Sequence, residues 1–301
     1  MIIVRLWGGL GNQMFQYACG YALAKKNNTN LLLDTRFFTN KFIDENPHFT
    51  RQQLNIEKLS LEYREHINEN NELSKICKLQ NRTVSRLIRL PNRFSIRIDG
   101  VRYEKETRLK YLPYIMNKSD DDVYLDGYWQ CEKYFSDFKN ELKKQYLYSS
   151  DRVLQYIQNL QIDDVNTVAV HIRLGDYSDK KMRSSRYNSI IRPDYYMHAI
   201  KEMKKRKDEA RFFIFSNDIE RAKILLGNSV KYTIVNEDRK LSDMEEFQVM
   251  SACGNHIISN STFSWWAAWL SKNEKGIKIA PDVFFGNAEI IPSDWIKIKT
   301  E

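Results

Sequence analysis

In the decapeptide VAVHIRLGDY, Val168 to Tyr177, a β-branched apolar run ends abruptly in three ionisable groups, His171, Arg173 and Asp176. Such a change of character is what the carboxyl end of a buried parallel strand looks like, the place where open α/β sheets bind their ligands. An arginine there grips a phosphate through two parallel hydrogen bonds, the imidazole holds a base or ribose, and the carboxylate accepts a proton or orients the arginine. An Asp–Arg pair pinning the turn at Gly175 is the structural alternative.

A second group of polar residues lies in SNSTFSWWAAWLS, where Ser259, Asn260, Ser261, Thr262 and Phe263 stand between an apolar run and an aromatic helix. Hydroxyls and backbone N–H groups that converge on a helix N-terminus form an anion site, or simply an N-cap. Trp265, Trp266 and Trp269 follow at helical spacing and suit core better than a sugar-stacking face. Near the start, GGLGNQ places Gly8, Gly9 and Gly11 after the first apolar run, with the amides of Asn12 and Gln13 beside them. The glycines permit a sharp turn and close approach to a ligand. Asp34 lies where a dinucleotide fold keeps its ribose-binding acid, but Met14 occupies the last glycine position of that fingerprint, which weakens an NAD-dependent oxidoreductase reading. Asp120 and Asp122 read as an Asp-x-Asp metal pair or a solvated turn, the turn being favoured. His48, His66, His198 and His256 have no metal-ligand spacing, and no metal site is expected.

The elements that must position these groups follow from periodicity. MIIVRLW reads as a strand, Gln13 to Lys26 as a helix with an apolar stripe of Met14, Tyr17, Ala18, Tyr21 and Ala22, and NLLLD as the next strand. Residues 35–122 carry a weaker pattern; VYLDGYW is then a strand and CEKYFSDFKNELKKQY one amphipathic helix. From VAVHIRL onward, strands RFFIFSN, KYTIV, HIIS and GIKIAP alternate with helices RPDYYMHAIKEMKKR, DIERAKILLG, DMEEFQVMSAC and STFSWWAAWLS. The pattern predicts two doubly wound α/β domains, 1–150 and 151–301, with a ligand cleft between them.

With 301 residues, 42% hydrophobic and 29% charged, the composition is that of a globular protein rather than a disordered chain. The net charge of +8 favours an anionic partner: a nucleotide, a nucleic acid or an acidic membrane surface. Cys19, Cys77, Cys131 and Cys253 form no C-x-x-C pair, which fits a reducing cytoplasm. Neither a signal peptide nor a membrane span is expected.

Taken together, GGLGNQMFQYA, LDGYWQCEKYF, VAVHIRLGDY, FIFSNDIERAK and MSACGNHIISNSTFSWWAAWL resemble, in order, the motifs of the bacterial alpha-1,2-fucosyltransferases. The resemblance implies a GT-B glycosyltransferase with two Rossmann-like domains, the first on the acceptor side and the second binding GDP-fucose. It implies inverting transfer of L-fucose to the 2-hydroxyl of a terminal galactose in a surface polysaccharide, lipopolysaccharide or oligosaccharide. Metal, cofactor and nucleic acid are not required. Carried onto this chain, Arg173 binds the pyrophosphate, His171 lies by the nucleotide, Glu246 meets the guanine, and Ser261, Thr262 and Phe263 present the helix N-terminus to the phosphates. Asp176 is the expected general base, and Gly9, Gly11, Asn12, Gln13 and Asn260 are expected at the substrates. Leu174 departs from the family, standing where a second basic residue is common. The alternatives are another fucosyl linkage, the oxidoreductase, and a non-catalytic sugar- or RNA-binding protein. The expected place of work is the cytoplasm, with peripheral attachment to anionic lipid.

Overall fold

The computed structural model describes residues 1–38, 53–67, 95–98, 100–106, 109–147, 149–163, 165–173, 193–284 and 289–300. The chain divides into two compact units, Met1–Tyr146 and Leu147–Glu301.

In the first unit, β1 (Ile2–Arg5) leads through Gly8 and Gly9 into helix α1 (Leu10–Lys26) and on to β2 (Leu31–Asp34). Both strands are buried on both faces, which is why they read as continuous Ile, Val and Leu rather than as alternation. β1 pairs parallel with β2, as a βαβ unit requires. Helix α1 begins at Leu10, three residues before the sequence expectation. Gly8 takes φ +79°, a left-handed value that glycine adopts without strain, so the turn closes early and Gly11 and Asn12 become helical. The helix is buried on nearly every side from Leu10 to Ala24, Asn12 and its end excepted.

The remaining strands are β3 (Glu65–Ile67), β4 (Ser95–Ile98), β5 (Val101–Lys105) and β6 (Asp122–Asp126). The sheet order is β3-β2-β1-β6-β5-β4. β4 and β5 form an antiparallel hairpin on an otherwise parallel sheet; neither they nor β3 were anticipated. The expected single helix over 131–146 breaks into two 3-10 turns, Glu132–Tyr134 and Ser136–Phe138, before helix α2 (Lys139–Tyr146). Phe135 breaks it: its backbone lies at φ −138°, ψ 5°, with the ring buried 5.9 Å from that of Phe15.

The second unit opens with helix α3 (Asp151–Asn159), capped by the Ser150 hydroxyl accepting from the amide of Val153. This helix was not anticipated, although Ser-Asp before an apolar spacing is a start signal. There follow β7 (Thr167–Ile172), α4 (Pro193–Arg206), β8 (Arg211–Ser216), α5 (Ile219–Leu226), β9 (Tyr232–Ile234), α6 (Asp243–Ala252), β10 (Asn255–Ile257), α7 (Thr262–Leu270), β11 (Lys278–Pro281) and β12 (Ile296–Ile298). The order is β12-β11-β10-β7-β8-β9, every pairing parallel. From β7 the chain winds outward through β8 and β9, then returns to β10 on the other side of β7. β7 and β10 therefore flank the topological switch point. Loops leave neighbouring strand tips in opposite directions there and open a crevice. β1 and β6 flank the equivalent point in the first sheet. Among the described residues no helix is long and apolar enough to cross a membrane.

Candidate active site

The carboxyl edge of the second sheet is unusually polar for buried structure. His171, Ser216, Asn236, Ser259, Asn260 and Ser261 are all buried, and they sit at the tips of β7, β8, β9 and β10 or in the loops that follow. Buried polar groups need partners. His171 finds one across the switch point, its Nδ1 lying 2.9 Å from the Ser259 hydroxyl. Its ring stands 5.9 Å from that of Phe263, which packs 5.2 Å from Phe247. Burial, reinforced by the positive charge of Arg173, lowers the imidazole pKa to about 3. His171 is therefore neutral at working pH, with only its hydrogen-bonding capacity to offer.

Arg173 follows directly after β7 and is exposed. Among the described residues its guanidinium has no carboxylate partner. The first turn of α4 packs Tyr195 and Tyr196 into the core with both side chains buried. The Tyr195 hydroxyl donates to the Ile258 carbonyl at 2.7 Å. This helix turn thus braces the β10 side of the crevice. Asp176 lies outside the described residues.

Ser261 occupies the N-cap of α7 in extended conformation, yet its side chain makes no capping bond. A helix N-terminus of this kind attracts anions through its dipole. Thr262 and Phe263 form that turn. The aromatic residues beyond it anchor the helix. Trp265 and Trp266 are fully buried, Trp269 nearly so, and Trp265 donates its indole N–H to the Ile290 carbonyl at 2.8 Å. These tryptophans are core, the favoured of the two readings of their spacing, and not a sugar-stacking face.

Glu246 stands in the first turn of α6. Its carboxylate accepts from Asn236 Nδ2 at 2.7 Å. Burial raises its pKa, against the pull of Asn236 and Arg239. Asn236 and Arg239 both take φ +56°, folding the loop after β9 back so that Arg239 donates to the carbonyls of Ser216 and Asn217 at the tip of β8. Glu246 is thereby tied to the loop that follows β9. Sequence reasoning missed Asn236 and Arg239, whose only signal was an Asn in a loop between two elements.

In the first unit the expected substrate contacts separate. Gln13 is buried, and its amide is filled by protein: Nε2 donates to the carbonyls of Gly8 and Gln53 at 2.8 and 2.9 Å, while Oε1 accepts from the amides of Asn55 and Ile56 at 3.1 Å each. It staples the glycine turn and has no capacity left for a ligand. Asn12 Oδ1 accepts from Gln130 Nε2 at 3.0 Å, while Gly9 is the N-cap of α1 and Gly11 lies in its first turn. Asp34 is buried, ion-paired with Arg36 at 2.6 Å and hydrogen-bonded by the Tyr124 hydroxyl at 2.5 Å, so it is not a ribose acid. Asp122 binds the N-terminal amine at 2.6 Å. Among the described residues no cluster of His, Cys, Asp or Glu has the make-up of a metal site, and Cys19, Cys131 and Cys253 are buried free thiols.

Buried neutral histidines make stability depend on acid. His256, fully buried with Nε2 3.0 Å from the Met250 carbonyl, has its pKa lowered to about 3 like His171, chiefly by burial. Below the ordinary value of 6.5 the unfolded chain takes up protons that the folded chain refuses. Stability is therefore complete above pH 6.5 and falls as the pH drops toward 3, by on the order of several kcal/mol for each histidine at the limit. Denaturation midpoints between pH 7 and 4 should show this slope. His256→Gln, which keeps the bond to Met250 without titrating, should flatten it; an unchanged slope would refute the assignment.

Two open, mainly parallel α/β sheets, each with a switch-point crevice, form a frame that many nucleotide-binding enzymes share. The match to the model for glycosyl transferase family 11 spans residues 1–298, and the chain belongs to that family. It is 30% identical to an alpha-1,2-colitosyltransferase of Escherichia coli over 99% of both chains. It is 29% identical to the O-antigen biosynthesis glycosyltransferase WbnK of the same organism, over 97% of this chain and 99% of that one. Among solved structures it resembles NodZ alpha-1,6-fucosyltransferase soaked with GDP-fucose, with TM-score 0.44 and 12% identity over 89% of this chain and 91% of that one.

Proposed function

We propose that the protein transfers a 6-deoxyhexose, L-fucose or its 3-deoxy counterpart colitose, from a GDP-activated donor to the 2-hydroxyl of a terminal galactose in a bacterial surface glycan, with inversion. The observation that carries this reading is Arg173 at the tip of β7, across the switch point from the uncapped N-terminus of α7. As the C1–O bond of the donor stretches, negative charge grows on the β-phosphate. A guanidinium and oriented amides stabilise that charge without reorganising, so the reaction needs no metal. His171, neutral and held by Ser259, donates or accepts a hydrogen bond at the nucleotide. Glu246 takes the base, and Asp176 accepts the proton of the attacking hydroxyl. Residues 1–150 hold the acceptor and 151–301 the donor. The net charge of +8 suits peripheral attachment to anionic lipid on the cytoplasmic face.

Fucose and colitose differ by one hydroxyl, and the choice between them is a question of site chemistry. A site that hydrogen-bonds the 3-hydroxyl rejects the deoxy sugar by on the order of 10⁴-fold, whereas an apolar pocket discriminates by only about 10²-fold. Fucose is the expected preference. Initial rates with GDP-fucose and GDP-colitose on lactose, with and without EDTA, test the reading, and NMR of the product assigns the linkage. Loss of activity in EDTA, a linkage other than alpha-1,2, or transfer of neither sugar to any galactoside would overturn it.

A further inference from the structure

The switch point of the first sheet carries a feature that no expectation covered. Trp7 leaves the tip of β1 and stacks on Tyr128 from the turn after β6, with ring centroids 4.1 Å apart and an interplanar angle of 29°. Both residues are only half-buried, although they sit at the edge where open sheets take ligands. Phe37, after β2, adds a third ring 6.3 Å from Trp7. The Arg5 guanidinium stands 5.9 Å above the indole and is tied to Asp126 at 3.0 Å. The backbone of Trp7 is fixed, its amide donating to Gln16 Oε1 at 3.0 Å. A fixed, half-exposed aromatic pair at a strand tip suits a ligand with an apolar face.

The turn that presents Tyr128 is held from below. One carboxylate oxygen of Glu106, just past β5, accepts from the successive amides of Tyr128 and Trp129 at 2.6 and 3.2 Å. Gly127 must be glycine for this: a Cβ there would lie 2.4 Å from Glu106 Cβ. The left-handed Trp129, φ +56°, then carries the chain away from the edge.

From this geometry we infer that Trp7 and Tyr128 form the acceptor subsite, stacking on the apolar C3–C4–C5 face of a galactopyranose, and that Glu106 is its positioning residue. The inference rests on the proposed transfer to a galactoside. Trp7→Ala should raise the KM for lactose by about tenfold, with the KM for GDP-fucose unchanged and kcat little affected. Trp7→Phe should restore most of the loss. Glu106→Ala should reproduce the acceptor-only defect, and Glu106→Gln, which keeps an oxygen for the two amides, should repair it. Equal changes in donor and acceptor KM, an unchanged acceptor KM, or no rescue by the conservative variants would overturn the assignment. If Trp7→Ala does not fold, Tyr128→Ala takes its place. Saturation-transfer NMR on lactose alone separates this inference from the proposed function. A lactose signal in the wild type that disappears in Trp7→Ala upholds the subsite even if no deoxyhexose is transferred. No lactose signal in the wild type, or one that survives the substitution, sinks it.

Discussion

Arg173→Ala is expected to lower kcat on the order of a thousandfold with the fold intact. The side chain is exposed and follows the last residue of β7, so its removal opens no cavity and breaks no core contact. What is lost is the charge that meets the departing diphosphate. Arg173→Lys should fall between the two, because an ammonium supplies the charge without the planar pair of donors that matches a phosphate. His171 adds a check. Removing the neighbouring positive charge lets its pKa rise only slightly, since burial is the larger cause. The pH profile of residual activity in Arg173→Ala should therefore keep its shape. Turnover within tenfold of wild type would refute the placement of the leaving group, and a large drop in thermal midpoint would mean the residue is structural.

The second large effect concerns the motif at the other end of the chain. Gln13→Ala is expected to destabilise the first unit by about 3–5 kcal/mol, near the upper limit for one substitution. Four backbone groups lose their partner at once: the carbonyls of Gly8 and Gln53, and the amides of Asn55 and Ile56. Gln13→Glu should be little better, since a carboxylate keeps the two amides but turns an acceptor toward two carbonyl oxygens. Denaturation curves read the loss. GDP affinity, which depends on the second unit in the proposed function, should survive where that unit remains folded. A cost below about 1 kcal/mol would show that these bonds exchange freely with water.

The contrast between Gln13 and Arg173 shows how far local spacing reaches. Both were singled out by their neighbours in the chain, and both stand at the carboxyl edge of a parallel strand or just after it. Gln13 meets residues 53–56, some forty positions away, which fill its amide, while Arg173 meets no described carboxylate. The tryptophans make the same contrast. Three at helical spacing in α7 read as core rather than a stacking face and are core, whereas Trp7, unremarkable in sequence, emerges half-exposed on Tyr128.

From the sequence alone came the parallel strands, their apolar runs on both faces, the helices between them, the polar tips of β7 and β10, and the family. These rest on periodicity and on contiguous motifs, and a chain carries such information locally. The tertiary structure alone decided which polar groups are occupied and which charges survive. The neutrality of His171 comes chiefly from its burial at the assembled sheet edge, and its hydrogen-bond partner Ser259 lies 88 residues away. The antiparallel β4–β5 hairpin and the return from β9 to β10, which creates the crevice, depend on strand order. Burial and long-range partners are properties of the assembled sheet, and no spacing along the chain encodes them.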